Sequence, residues 1–312
     1  MLGSHWLELI GFYAFVAFAT WLDLGVLHKD DHEIGLKEAA WMSLGWVVVA
    51  LVFSGYVWWH YGAEKWMEYI SGYTLEKALS VDNIFVINMI FTFFGLRGGL
   101  QHRALAWGVI GAVTMRTILI TVAAGLVERF DWVLPLFGAF LLFTSFKMLR
   151  GGEEGSIQES PVYKWLARVA PIYPGLDGNR ILTRRDGRWM LTTLGVAIVI
   201  VETTDLVFAV DSIPAVIGVS QDPFIVLTSN IFAILGLRAL YFLLAGIVHR
   251  FRYLKLGLSV VLAFIGVKMI GTLFHWHVKP ATSLAIVLGV VLISILASLL
   301  VPERSQETPR TE

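Results

Sequence analysis

Two stretches of an apolar chain repeat one acidic pattern. The first reads Glu76-Lys-Ala-Leu-Ser-Val-Asp82-Asn83, and the second, after Glu202-Thr-Thr, reads Asp205-Leu-Val-Phe-Ala-Val-Asp211-Ser212. In each, a carboxylate stands six residues ahead of an Asp that carries a polar neighbour, and each copy lies within a hydrophobic run. An ionised group at the centre of a bilayer costs roughly 3 kcal/mol or more, so such residues mark function by default. The oxygens on offer are carboxylate, amide and hydroxyl, with no Cys in the chain and no His inside the motifs. That donor set suits a hard divalent cation, Mn²⁺, Mg²⁺ or Ca²⁺, better than Zn²⁺ or Cu²⁺. The candidate ligands are Glu76, Asp82, Asn83, Glu202, Asp205, Asp211 and Ser212. Three bases, Lys77, Arg116 and Arg238, lie at comparable depth as supporting charges. The competing structural explanation is that acids and bases only pair to hold helices together. Five carboxylates outnumber three bases, and a divalent cation would balance the excess; Arg116 and Arg238 suit the structural role better than direct substrate contact.

The elements that must position these groups are membrane helices. The chain has 312 residues, 57% of them hydrophobic and 15% charged. A crossing needs about 20 apolar residues, and hydropathy places nine near 6–27, 40–60, 66–95, 104–127, 132–149, 189–219, 224–247, 254–274 and 281–301. The expected fold is therefore an all-α polytopic membrane protein. Its first segment lacks a basic n-region and a small-x-small cleavage site, so it is expected to be a retained helix. Loops on one side hold only Lys65, Arg129 and Lys279, whereas Lys147, Arg150, Lys164, Arg168, Arg180, Arg184, Arg185 and Arg188 crowd a single loop on the other. By the positive-inside rule the N-terminus faces outward and the C-terminus lies in the cytoplasm. The loop 151–188 opens with a solvated Gly-Gly-Glu-Glu-Gly-Ser run, and its Asp186-Gly187 predicts a short hairpin. The tail after Pro302 is polar and reads as disordered.

A displacement of 121 residues lays 117–148 on 238–269 without a gap, matching Ala124-Gly125, Arg129-Phe130 and Lys147-Met148 with Ala245-Gly246, Arg250-Phe251 and Lys268-Met269. The acidic motifs superpose at a displacement of 129, the difference falling in the longer Arg97-to-Arg103 loop. The repeat unit is then three helices. An odd number makes the second copy enter the membrane from the opposite side, giving an inverted repeat whose substrate site sits near the bilayer midplane. The organisation expected is 1–65 for segments one and two, 66–150 for the first repeat, 151–188 for a cytoplasmic loop, 189–276 for the second repeat, and 277–312 for segment nine and the tail.

In a straight helix, residues six apart differ by about 600°, so Glu76 and Asp82 point some 120° apart. Either they flank a wide wedge or the helix unwinds between them, and Pro214 favours unwinding in the second copy by freeing the carbonyl of Val210. Asp23 is expected at the inner interface rather than as a ligand, Asn88 and Asn230 as interhelical hydrogen-bond residues, and His275, Trp276 and His277 as part of an aromatic belt. Formal net charge of zero argues against nucleic acid. No phosphate loop, His-Glu-x-x-His or Gly-x-Ser-x-Gly is present, and the Gly-x-Gly-Asp of intramembrane aspartyl proteases is missing. The reading is therefore a transporter rather than an enzyme, without a prosthetic group.

With Glu76-to-Asn83 and Glu202-to-Ala215, which includes Pro214, the chain resembles the TerC family, named for tellurium resistance, across roughly 6–301. It is most similar to the Alx type, implicated in manganese export. The resemblance implies a nine-helix protein of the bacterial inner membrane related to the lysine-exporter superfamily, with Glu76, Asp82, Glu202, Asp205 and Asp211 as the cation path. Met190-Leu-Thr-Thr departs from the Thr-Pro-Leu common in the family before segment six, at a helix start and away from the acids. The expected function is export of a divalent cation, Mn²⁺ foremost, by proton antiport. The alternatives are a membrane module for stress resistance or membrane-protein assembly, and an exporter of an organic cation. Partners expected are the lipid bilayer and the metal ion; oligomeric state is not legible.

Overall fold

The computed structural model describes residues 6–23, 35–150, 161–185, 187–245, 251–276 and 278–301. The start of the 151–188 loop, Asp186, the tail and His277 lie outside these, as do Gly246 and Arg250 of the repeat alignment. The described chain is overwhelmingly helical: α1 (Trp6–Trp21), α2 (Leu36–Phe93), α3 (Gly99–Arg129), α4 (Val133–Arg150), α5 (Pro161–Val169), α6 (Thr193–Val219), α7 (Pro223–Leu235), α8 (Leu237–Leu244), α9 (Arg252–Gly271) and α10 (Pro280–Leu300). A two-stranded sheet, β1 (Leu182–Arg185) with β2 (Arg188–Leu191), precedes α6. Among the described residues, six helices are long and apolar enough to cross a membrane, or seven if the pair α7 and α8, bent by 43°, is one span. This is an all-α polytopic membrane protein.

At 1.5 Å per residue a straight α2 would run about 87 Å, far beyond a bilayer of about 30 Å. It does not run straight. Gly62, at φ 85 and ψ 176, breaks the helix into limbs 36–61 and 63–93. Only glycine reaches that backbone region without strain. Trp58 and Trp59 stand exposed just before the break, as aromatic residues do at a membrane boundary. The end of the molecule that holds this break is called the Gly62 face, and the other the hairpin face.

The hairpin expected at Asp186-Gly187 is present, with Leu182 opposite Leu191 and Arg185 opposite Arg188. It also corrects the start of the sixth segment. Residues 189–191 belong to β2, and α6 begins only at Thr193, capped by the Thr192 hydroxyl accepting from the Gly195 amide at 3.2 Å. A second correction concerns Pro214, which leaves α6 helical throughout. Losing one hydrogen bond next to buried neighbours bends or loosens a turn; it does not unwind this one.

Packing follows the small residues. Helix α4 lies against α9, α3 against α6, the second limb of α2 against α7 and α8, and α10 against α9. Where α4 crosses α9, a Cβ on Gly138 would sit 2.7 Å from the Gly266 carbonyl oxygen, and one on Gly266 would sit 2.8 Å from that of Gly138. Seven residues further along α4, the Ser145 hydroxyl donates to the Ser259 carbonyl at 2.7 Å. Lipid gives helices no hydrophobic reason to associate, so close backbone approach and interhelical hydrogen bonds must hold them. Large apolar side chains such as Leu292, Ile293, Leu296 and Leu299 of α10 are turned outward instead.

Gly266→Ala should lower the thermal midpoint of the detergent-solubilised protein, at a cost of about 1–3 kcal/mol from overpacking. Gly289→Ala, where a Cβ meets nothing within 4 Å, is the control and should leave the midpoint unchanged.

Candidate functional site

Four helices converge on one arginine. Arg116, on α3, is 1% exposed. Its Nε and Nη2 donate to the two carboxylate oxygens of Asp205 on α6, at 3.3 and 3.1 Å. Its Nη1 donates to Glu76 Oε1 on α2 and to Asn230 Oδ1 on α7 at 3.2 Å, with the Ser212 hydroxyl of α6 at 3.5 Å. Asn230 closes the ring by donating from Nδ2 to Glu76 Oε2 at 3.0 Å. Glu76, Ser212 and Asn230 are all buried. A guanidinium has five N–H donors in a fixed fork, and here every acceptor it meets is oxygen. Removing one partner of such a buried pair costs about 3–5 kcal/mol, because the charge left behind has no water to turn to.

Glu76 and Asp205 are the residues that the 129-residue displacement superposes, so equivalent acids of the two motifs meet at one point. Of the remaining predicted residues, Ser212 joins them there, whereas Asp82, Asn83, Glu202 and Asp211 do not. Because both helices stay helical, the second acid of each motif turns toward a different neighbour. Asp211 accepts from Thr144 of α4 at 3.4 Å and feels the charge of Lys147. Asp82 and Asn83 lie on α2 beyond Ala78, which packs with Leu254, Leu258 and Val291 of α9 and α10; Asn83 is buried and Asp82 partly so. Glu202 is half-buried, its carboxylate lying directly over Gly111 of α3, where a Cβ would overlap it. Among the described residues no group of three or more Asp, Glu or His stands close enough together to hold a metal ion.

The supporting bases divide. Arg116 pairs with the motif acids as a structural partner should. Arg238 does not: its Nη2 lies 2.7 Å from Asp23 Oδ1 and its Nη1 3.5 Å from His102 Nδ1. Asp23, expected at the interface, is instead a buried counterion at the end of α1, because the arginine it faces is itself 1% exposed. Lys77 points to the break between α7 and α8, donating to the Ala233 carbonyl at 3.1 Å beside Gly236. A cation at that helix end meets the negative pole of the α7 dipole. Asn88 accepts from the Tyr241 hydroxyl at 3.4 Å, an interhelical bond as expected.

Asn230 makes the interhelical hydrogen bonds expected of it, but sequence reasoning did not place it in the ring, and it missed Gly111 as the seat of Glu202 and Thr144 as the donor to Asp211. Asn230 carried a signal, an amide in an apolar run, but nothing in the order of residues says which helix it faces. A further charged group lies at the Gly62 face, where Lys65 bridges Glu68 at 2.9 Å and Asp222 at 3.8 Å, and Ser220 donates to Glu68. Two cavities of about 400 and 450 Å³ open beside it, both reaching Ile217 and Gln221.

Apolar helices with outward-facing Leu and Ile and an ionised ring at their centre define an integral membrane protein built around buried charge. The model of the integral membrane protein TerC family matches residues 61–306. The chain belongs to that family. Among its relatives, an uncharacterized membrane protein of Myxococcus xanthus is 43% identical over 303 residues, covering 97% of this chain and 94% of its own. The Escherichia coli K12 protein named "Putative membrane-bound redox modulator Alx" is 42% identical over 296 residues, covering 92% of each chain, and its Salmonella typhi counterpart is 41% identical. No solved structure matches the chain.

The contact between Glu202 and Gly111 gives a coupled prediction. Gly111→Ala has only to displace the Glu202 carboxylate, the far end of a flexible side chain, and should lower the thermal midpoint by less than Gly266→Ala, where the obstacle is a backbone carbonyl. A double-mutant cycle with Glu202→Ala should still show the two sites coupled beyond the about 0.5 kcal/mol within which independent sites add.

Proposed function

We propose that this protein is a secondary transporter that exports a divalent cation, Mn²⁺ foremost, from the cytoplasm. The observation that carries the reading is the arrangement of acids at three depths. The second limb of α2 runs from the Gly62 face to the hairpin face, where Ile90 and Phe91 pack with Ile181 and Leu191, and α6 runs the opposite way, from Thr192 at the hairpin to Ser220 beside Glu68. Asp82 therefore lies about 9 Å on the hairpin side of Glu76, and Asp211 about 9 Å on the Gly62 side of Asp205, at 1.5 Å per residue. A buried central pair is flanked by one carboxylate toward each face. From Asp211, another six residues of α6, again about 9 Å, reach Ile217 at the cavities. The oxygen chemistry favours a hard cation, and ionisable groups in membrane helices mark ion paths.

Nine crossings, with α2 counted as two limbs and α1 as one, arranged as an inverted repeat of three helices each, fit this reading. The crossing of α4 with α9 supports the repeat: the 121-residue displacement carries Gly138 to Ser259 and Ser145 to Gly266. The Gly138 to Gly266 contact thus maps onto the Ser145 to Ser259 contact, as a two-fold axis would require. The arginine-rich hairpin face is assigned to the cytoplasm by the positive-inside rule. Coupling to protons is part of the proposal, since carboxylates that release a metal can take up protons in its place. The redox role in the relatives' name cannot run through thiol exchange here, because the chain has no cysteine.

A second reading, a module for assembly or stress resistance, draws on the loop between the repeats. Its described part is folded: β2 seats on the segment before it through Leu191 N to Pro171 O at 2.9 Å, and Trp165 and Trp189 stand exposed. Deleting most of 151–188 separates the readings, since a transporter retains flux and an assembly factor loses its effect. Export of an organic cation is separated by competition with Mn²⁺.

In proteoliposomes, Asp82→Asn and Asp211→Asn should each reduce Mn²⁺ flux to below about a tenth of wild type, more than the 1.4 kcal/mol that a tenfold change represents, with the folded fraction retained. Wild-type flux in both variants would move the path elsewhere. With voltage clamped, an imposed pH gradient should drive Mn²⁺ flux, and indifference to the gradient would remove proton coupling.

A further inference from the structure

The five oxygens around Arg116 have the composition of a hard-cation shell: two from Asp205, one each from Glu76, Asn230 and Ser212. Four come from the two acidic motifs and the fifth from Asn230, on three helices other than the arginine's own. This is the donor set expected for the transported ion, and a guanidinium fills it. Arg116 is the one member of the cluster that reaches in from α3, on a long side chain, and the other four residues are held by helices other than its own.

We infer that Arg116 is a tethered substitute for the transported cation: its guanidinium occupies the cage when no metal is bound and leaves when a divalent ion enters. The inference rests on the transport reading and specifies how the empty carrier deals with its own charge. Two carboxylates buried in the membrane interior without a cation would cost several kcal/mol apiece, on the order of a buried unpaired charge, and that cost would oppose any reorientation of the empty protein. With the guanidinium in place, the cage is never empty. The same device limits affinity, because an arriving ion has to displace a bidentate partner, and it speeds release, because the displaced partner returns. Arginine suits the task better than lysine: its planar fork spans Asp205 while its third nitrogen reaches Glu76, and it keeps its proton under all conditions of the cell. Asn230 serves both states, since its Oδ1 faces the cation and its Nδ2 fixes the Glu76 carboxylate.

A structural arginine and a substitute cation differ in what their loss does to the two halves of a transport cycle. Net Mn²⁺ efflux requires the metal-free carrier to return, with the guanidinium in the cage and the coupling protons on the acids outside it, whereas exchange of ⁵⁴Mn²⁺ for Mn²⁺ across the bilayer uses only the metal-loaded form. In proteoliposomes of the full chain, Arg116→Gln should reduce net efflux to below about a tenth of wild type while exchange stays within about threefold, and Mn²⁺ binding to the solubilised variant, read by electron paramagnetic resonance, should tighten about tenfold, equivalent to 1.4 kcal/mol. Arg116→Lys keeps a tethered charge without the fork; it should regain much of the net efflux, and it serves as the deciding variant if Arg116→Gln does not fold. Net efflux and exchange falling together in the glutamine variant, or in the lysine variant where only that one folds, with Mn²⁺ affinity unchanged, would overturn the inference; so would wild-type net efflux in Arg116→Gln. If the wild type moves no Mn²⁺ in either assay, the transport reading fails by itself, and the binding arm still decides: a gain of Mn²⁺ binding in Arg116→Gln upholds the cage, and no gain refutes it.

Discussion

A charge that cannot reach water must be answered by other charges, and in this protein that requirement organises the centre. Arg116 is closed off from solvent, so Asp205 and Glu76 have to be where they are, and α2, α3, α6 and α7 have to cross where they do. The apolar surfaces of these helices would not fix such an arrangement alone, because lipid satisfies them as well as another helix does. Directional contacts supply the specificity. Their geometry is shared among four helices, so a shift of any one is felt by all the rest.

Away from the ring, small residues take over. Gly138 against Gly266, Gly72 against Ser229, and Gly257 against Ser294 each admit a neighbour closer than a Cβ would allow. Serine hydroxyls along the same seams satisfy themselves on backbone carbonyls, as Ser145 does across the gap to Ser259 and as Ser294 and Ser298 do within α10. The result is a bundle whose interior is tight and partly polar and whose exterior is greasy, the inverse of a soluble core.

Much of this was legible in the residues. Apolar runs of the right length gave the membrane class, Asp-Gly gave the hairpin, and a repeated pattern of acids singled out the residues that surround the centre. What one dimension could not supply was direction around each helix axis. Glu76 and Asp82 differ by only six positions, yet one meets an arginine and the other turns to a separate surface. Asn230 became part of the site only through helices more than a hundred residues away in the chain, and Gly111 through one about ninety away. Arg238 looked equivalent to Arg116 by depth and type, but Asp23 had claimed it from the far end of the sequence. The expectation about Pro214 failed for a local reason: neighbours that already hold a helix on all sides leave a proline little freedom to open it.

Thr192 accepts from the first turn of α6 while its own hydroxyl donates to the carbonyls of Arg180 and Ile181, at 2.7 and 3.1 Å. That single side chain stitches the helix bearing three of the acids to the folded segment ahead of it. A rod fastened at its base can swing but cannot piston. A tilt about this hinge that exposes Asp205 to one side and then the other would have to break the hydrogen bond from Ser220 to Glu68, which ties the far end of α6 to α2 at the opposite face.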